Sequence, residues 1–223
     1  MQRFVVFDLD GTLVDSLPGI AEGVNRALAS LGLPVHEPEA VRGMIGRGAA
    51  NLCAAAIGYA DASLAPPDEL KAVHAAFGRE YAHCWQGSRT TPYPGINSLL
   101  HALAAAGARM AVLSNKPHEV TLPMVQTLFP ELPFDPILGF SGRYPRKPDP
   151  TALRAIAEQW GVDVRELVMV GDSRYDALTA QQAPCGLLLF DWGYGGGDVS
   201  AWADCVVSSA EEALHRLLGS DEG

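Results

Sequence analysis

The chain has 223 residues, 26 acidic against 16 basic for a formal net charge of −10, and it is 48% apolar and 19% charged. That size and composition describe a folded globular protein with a sizeable core, as one large domain or a core with a smaller insert. No apolar run approaches the ~20 residues of a membrane span. Asp8 interrupts any leader-like hydrophobic stretch, and the acidic balance argues against nonspecific binding to nucleic acid or anionic membranes. Cys53, Cys84, Cys185 and Cys205 are scattered without CxxC spacing, so neither a disulfide framework nor a cysteine zinc site is expected, and a cytoplasmic location fits.

In chain order, residues 4–9, Phe-Val-Val-Phe-Asp-Leu, are a short apolar run ending in polar residues and glycine, the pattern of a buried strand entering a loop. Residues 109–113 and 166–170 repeat it, ending at Ser114-Asn115 and Gly171-Asp172. Residues 186–190 and 204–207 are further strand candidates. Helical patterns occupy about 95–107, 118–129, 149–160, 174–183 and 209–218, the last with Ser208/Glu211 or Ser209/Glu212 as a capping box. Strands alternating with helices of a dozen residues predict a parallel sheet covered on both faces.

Residues 16–90 break the alternation. They hold no convincing strand, are rich in alanine and glycine, and read as helices near 17–31, 38–44, 47–57 and 67–84. Tyr93-Pro94-Gly95 marks the return to the alternating pattern. The insert leaves and re-enters at the carboxyl end of the first strand, where ligands bind in open α/β sheets, so it stands where a lid would.

The chemistry gathers after the strands. Asp8 and Asp10 share a face if the strand continues past them; if the chain turns, Asp10 presents partly through its backbone. Close carboxylates repel, so they need a cation or a division of labour into nucleophile and general acid/base. The plain alternative is a turn at Asp10-Gly11 with Asp8 as a strand-end cap. Asp172 and Asp176, four apart at a helix start, read as oxygen ligands for Mg²⁺ on one helical face, or as an N-cap and a first-turn charge. Ser114-Asn115 before Lys116-Pro117 reads as a phosphate seat at a helix N-terminus, or as a simple cap. Lys147, between Arg146 and Pro148 in a proline-rich loop, is a fixed ammonium or a solvated one. All four sites fall at one edge of the expected sheet. Together they hold the parts of a metal-assisted phosphoryl transfer.

In this arrangement the chain resembles the haloacid dehalogenase superfamily. Its four motifs stand in order: Asp8-Leu9-Asp10-Gly11-Thr12, Ser114-Asn115, Lys147-Pro148, and Gly171-Asp172 with Asp176. Within the superfamily it is most similar to the phosphoglycolate phosphatases, through Ile45-Gly46-Arg47-Gly48, Tyr93-Pro94-Gly95, Leu113-Ser114-Asn115-Lys116-Pro117 and Asp191-Trp192-Gly193-Tyr194-Gly195. The resemblance implies a Rossmann-like α/β core of residues 1–15 and 91–223, with an α-helical cap domain at 16–90. It implies a phosphatase acting on a small phosphorylated metabolite, 2-phosphoglycolate first, without a nucleic-acid, membrane or obligate protein partner.

The roles it implies are specific. Asp8 attacks phosphorus; Asp10 protonates the leaving alcohol and later deprotonates water. Asp8, the Asp10 carbonyl and Asp172 hold Mg²⁺. Thr12, Ser114, Asn115 and Lys147 bind the phosphoryl group, with Asp176 and Ser173 supporting from behind. Asp10 sets the chain apart from the dehalogenases, which lack it. Lys71, the only lysine in the insert, comes late for a phosphonatase Schiff base and reads as an exposed helix residue. A sugar-phosphate mutase and a non-catalytic binding protein remain alternatives, as do sugar phosphates, nucleotides or pyrophosphate as substrates. Arg47, flanked by glycines, either pairs with the far end of the substrate or is a surface arginine. His83, Cys84 and Trp85 read as packing or surface residues, and Trp192 and Trp202 as packing residues.

Overall fold

The computed structural model describes residues 3–195, 201–202 and 205–219. Strand β1 (Phe4–Phe7) is buried along its whole length and lies in the middle of a six-stranded sheet. On one side it pairs in parallel with β4 (Arg109–Pro117), which pairs with β5 (Phe134–Phe140). On the other side follow β6 (Leu167–Gly171), β7 (Gly186–Phe190) and β8 (Val206–Val207), also parallel. Side chains alternate across the sheet with period two. Val5 and Phe7 join one apolar cluster and Phe4 and Val6 the other. Helices α7 (Thr151–Trp160) and α8 (Arg174–Gln182) contribute to the second cluster; α5 (Ile96–Ala105), α6 (His118–Leu128) and α9 (Ala210–Leu218) contribute to the first. Both faces are covered, which is why the strands read as continuous apolar runs.

The insert leaves and re-enters through a two-stranded antiparallel ribbon, β2 (Val14–Asp15) with β3 (Thr91–Pro92). Between them come α1 (Leu17–Ser30), α2 (Pro38–Arg42), α3 (Ala49–Ala56) and α4 (Pro67–Cys84). The glycines of this stretch have a packing reason. A Cβ on Gly23 of α1 would come 3.1 Å from the Tyr81 ring of α4, so the two helices approach closely. Among the described residues no helix is long and apolar enough to cross a membrane.

Several expectations are corrected. β5 was not foreseen, because Pro136 and Gly139 interrupt its apolar pattern. It lies at the edge of the sheet, where a strand tolerates a missing N–H. β1 ends at Phe7, so Asp8 and Asp10 lie beyond the strand rather than within it. β4 runs on to Pro117 and α6 starts only at His118, so Ser114-Asn115 belong to an extended segment and not to a helix N-terminus. Asp172 precedes α8, whose N-cap is Ser173, so Asp172 and Asp176 do not share a helical face. At α9, Glu212 N donates to Ser209 Oγ, but the Glu212 carboxylate returns to Ser208 N, so the capping box is split between the two serines. Trp202 is 46% exposed rather than packed. Gly196, Gly197 and Asp204, parts of the glycine-rich run and of the last expected strand, lie outside the described residues.

Candidate active site

The sheet order places β1 between β4 and β6, so the chain reverses direction of growth across it. Such a switch point opens a crevice at the carboxyl ends of the strands. Asp8 is the first residue past β1, and its N–H continues the ladder by donating to Val170 O at 2.8 Å. The chain then turns tightly: Leu13 N and Val14 N both donate to Leu9 O, at 3.0 and 3.1 Å. Gly11 has φ +83°, and a Cβ there would collide with the Asp172 carboxylate. The Asp-Leu-Asp-Gly-Thr sequence is therefore a turn fitted around a second strand end. Thr12 reaches under it and donates through Oγ1 to Asp172 Oδ1 at 3.0 Å.

Lys147 joins these carboxylates from the loop before α7. Its Nζ lies 2.6 Å from Asp176 Oδ1 and 2.9 Å from Asp8 Oδ1. The Asp176 contact is a hydrogen bond; the Asp8 contact is an ion pair without hydrogen-bond angles, and Asp8 Oδ1 is buried with no donor. The loop is held by Asn115, whose Oδ1 accepts from Lys147 N at 2.8 Å while Nδ2 donates to Lys147 O at 3.0 Å. Nδ2 donates also to Gly46 O of the insert at 3.0 Å. Both amide hydrogens of Asn115 are thus engaged with backbone. Asp176 is saturated as well: Ser173 Oγ, Ser173 N and Asp172 N all donate to its Oδ2.

Asp10 turns the other way. Its Oδ1 accepts from Ser16 Oγ at 2.6 Å, and both its oxygens accept from Lys116 Nζ, at 2.9 and 3.0 Å. Lys116 Nζ donates further to the Tyr81 hydroxyl of α4 at 2.7 Å. The sequence reading took Lys116 only as part of a helix start and missed this role. The available signal was its position two residues after Ser114 on an extended segment, which puts both residues on one face.

Burial pushes the Asp8 carboxyl up to about 6, only partly offset by Lys147, while nearby Asp176 adds to the rise. Burial raises Asp172 well above the carboxylate range, with Asp176 and Asp8 adding to it. Burial alone would lower both lysines, but Asp176 and Asp8 hold Lys147, and Asp10 and Tyr81 hold Lys116, above the usual lysine value. With all four ionised, the carboxyl groups of Asp8, Asp10, Asp172 and Asp176 exceed the two ammonium groups by two negative charges. Oxygens of Asp8, Asp172 and Asp176 lie within 4.8 Å of one another. The unpartnered Asp8 oxygen, the all-oxygen donor set and the charge excess fit a divalent hard cation such as Mg²⁺. Asp176, already saturated, is better placed to hold Lys147 than to bind the ion.

The carboxylates open onto a cavity of about 860 Å³ between sheet and insert, lined by Asp8, Asp10, Ser114, Asp172 and Arg47 among others. Ser114 Oγ accepts from Lys116 N at 3.3 Å, and its own hydrogen remains available. Thr12 and Lys147 do not line this cavity; they stand behind Asp172 and Asp8. Arg47 lies 3.9 Å from Asp61, and its main-chain oxygen accepts from Asn51. Lys71 and His83 are exposed, Cys84 and Trp85 buried.

A parallel sheet with an aspartate pair after its first strand, a lysine clamped beside it and two more carboxylates after the fourth parallel strand defines a hydrolase of one family. The model of haloacid dehalogenase-like hydrolases matches residues 3–184, and the chain belongs to that family. The chain is 36% identical to the phosphoglycolate phosphatase of Rhodospirillum rubrum, over 98% of this chain and 92% of that one. It is 37% identical to the plasmid-borne phosphoglycolate phosphatase of Cupriavidus necator, over 96% and 92%. In structure it is similar to a predicted phosphoglycolate phosphatase from Haemophilus somnus, with TM-score 0.88, 29% identity and coverage of 96% and 97%. The chain is a phosphatase.

Proposed function

We propose that this phosphatase is a Mg²⁺-dependent phosphomonoester hydrolase that works through an aspartyl-phosphate on Asp8, with residues 16–90 as its cap. The observation that carries the reading is the Asp8 carboxylate, a residue of the cavity wall, buried 2.9 Å from Lys147 and clustered with Asp172. Phosphate esters resist nucleophiles because their oxygens are anionic, so catalysis rests on charge neutralisation and alignment. A bound Mg²⁺, held by Asp8, Asp172 and the main-chain oxygen of Asp10, would neutralise the phosphoryl oxygens.

The protein's own groups do the rest. Asp176 and Asn115 fix Lys147 from its side chain and its backbone, so the ammonium offsets charge on the transferring group and on Asp8. Ser114 offers its hydroxyl to a phosphoryl oxygen. Asp8 bonds to phosphorus as the bond to the alcohol oxygen breaks. Asp10, held by Lys116 and Ser16, gives the departing oxygen a proton and then takes one from the water that cleaves the acyl phosphate. Asn115 and Thr12 act as supports, since their polar groups are turned to backbone and to Asp172.

The names of the relatives make 2-phosphoglycolate the first substrate to try, with Arg47 or Arg174 as the partner for its carboxylate. Four free cysteines, two of them buried, suit a reducing cytoplasm. The test is Mg²⁺-dependent phosphate release from phosphoglycolate by the wild type and by Asp8→Asn. Wild-type turnover with a loss on the order of 10⁴-fold in the variant is expected. Turnover that survived the substitution would remove Asp8 as nucleophile.

A further inference from the structure

We infer that the cavity above the catalytic carboxylates is built for a phosphomonoester whose alcohol half is apolar and bulkier than a two-carbon acid. The inference rests on the phosphatase reading of the same site. It starts from volume. The cavity holds about 860 Å³, near the top of the ~300–1,000 Å³ range of sites that enclose whole drug-sized ligands. A phosphorylated two-carbon acid leaves most of that space empty.

Closure of the insert does not remove the space, because the insert is already seated on the core. Tyr81 of α4 accepts from Lys116 at 2.7 Å, Gly46 accepts from Asn115 at 3.0 Å, and Arg42 of α2 donates to Gly193 O at 3.1 Å. The cavity persists behind these contacts.

Its wall is the second observation. Beyond the carboxylates it is lined by Ile20, Leu52, Phe77 and Trp85 of the insert and by Val120 and Pro123 of α6. Polar His74, Gln86 and Glu119 also line it and are exposed. Of the cations that line it, Lys116 is fully engaged and the two arginines have one partner each among the described residues. Lys116 is held by Asp10 and Tyr81, Arg47 faces Asp61 at 3.9 Å, and Arg174 donates to the Tyr175 hydroxyl at 2.9 Å. Arg47 and Arg174 keep N–H groups to offer a carboxylate, but an apolar alcohol gains along the Ile20, Leu52, Phe77 and Trp85 wall.

The third observation is Gly78, in the middle of α4 and on the cavity wall. A Cβ there would meet no atom within 4 Å. Gly78 is exposed, at the open side of the cavity, so no neighbour excludes a side chain and a leucine there has room to cover the space where an alkyl chain would lie.

The experiment measures kcat/KM with Mg²⁺ for ethyl, butyl and hexyl phosphate, whose leaving alcohols are alike in acidity, and for phosphoglycolate. Each methylene taken from water into an apolar wall is worth about fourfold. A hexyl-to-ethyl ratio above tenfold is expected, and a drop of that ratio by fivefold or more in Gly78→Leu, with a melting temperature no lower than wild type confirming the fold. A hexyl-to-ethyl ratio of tenfold or less overturns the inference. So does a ratio that the folded variant leaves intact, since the preference would then arise elsewhere. Phosphoglycolate turnover with a flat alkyl series sinks this inference alone; no Mg²⁺-dependent turnover of any of the four esters sinks the phosphatase reading with it.

Discussion

Lys116 shows how much of a site depends on a single buried ammonium. Its side chain is 4% exposed, and it joins Asp10 of the core to Tyr81 of the insert. Removing one partner of a buried pair leaves the other charge without compensation, at about 3 kcal/mol. For Lys116→Met we therefore expect a melting temperature lower by roughly 6–12 °C, on ~2–4 °C per kcal/mol for a chain of this size. We also expect kcat to fall at least tenfold, as Asp10 loses the group that aims its carboxylate, while Mg²⁺ affinity changes little because Lys116 touches neither Asp8, nor Asp172, nor the Asp10 main-chain oxygen. Equal losses in metal affinity and kcat would show that Lys116 supports the whole site and not Asp10 alone. Asp8 and Asp10 are two residues apart in sequence, yet each has its own lysine. The chain turns at Leu9, whose carbonyl accepts from Leu13 N and Val14 N, so the two carboxylates point to different lysines and the roles proposed for them diverge at this scale.

At the scale of elements, the start of α1 is the instructive case. Proline at its second position and Ser16 before it are helix-start signals, but Ser16 does not cap the helix; its hydroxyl goes to Asp10. The first amides, Ser16 N and Leu17 N, instead donate to the hydroxyl of Tyr194 at 2.7 and 2.9 Å, and that hydroxyl donates to Asp15 at 2.6 Å. Tyr194 N meanwhile donates to Asp172 Oδ2 at 2.6 Å. One residue after β7 thus ties a proposed metal ligand to the point where the insert begins. Tyr194→Phe leaves Ser16 N unpaired and Leu17 N with only its longer bond to Asp15 Oδ1 at 3.2 Å, and unfolding in urea is expected at ~2 kcal/mol less stability. A variant as stable as wild type would mean that water replaces the phenol. The edge strand β5 teaches the same lesson. Its Asp-Pro-Ile-Leu-Gly pattern is punctuated like a loop, and only its place at the sheet margin makes it a strand.

Across the whole molecule, the net charge of −10 includes a cluster at the strand ends in which four carboxyl groups meet two ammonium groups. That cluster links stability to metal and to pH. The Asp8 carboxyl rises from 3.8 to about 6 in the folded protein, so the fold binds a proton more tightly than the unfolded chain does. Below about pH 4 this contribution is fully present, and it is lost as pH climbs toward and past 6. Asp172 shifts in the same direction. A divalent ion held by these carboxylates would replace the protons and would bind only the folded arrangement. The melting-temperature gain from saturating Mg²⁺ is therefore expected to be larger at pH 7.5 than at pH 5.5, read by thermal denaturation with and without EDTA. An equal gain at both values would show that Asp8 and Asp172 do not compete with protons for the ion.

The sequence by itself determined the parts that local rules control. Apolar runs of strand length located β1, β4, β6 and β7 to within a few residues at either end, and helical periodicity located the helices of core and insert. The placement of Asp8, Asp10, Ser114, Lys147 and Asp172 after successive elements was enough to bring them to one sheet edge, because parallel strands present all their carboxyl ends together. What the tertiary structure alone decided is pairing across the chain. Asp10 meets Lys116 106 residues away, and Tyr194 caps a helix 178 residues earlier. Asn115 spends its amide on the backbones of Lys147 and Gly46, and Thr12 turns to Asp172 rather than to the cavity. Periodicity and spacing report which face a residue occupies. Which partner waits on that face depends on how two distant segments approach, and that is fixed only when the sheet orders its strands and the insert seats upon them.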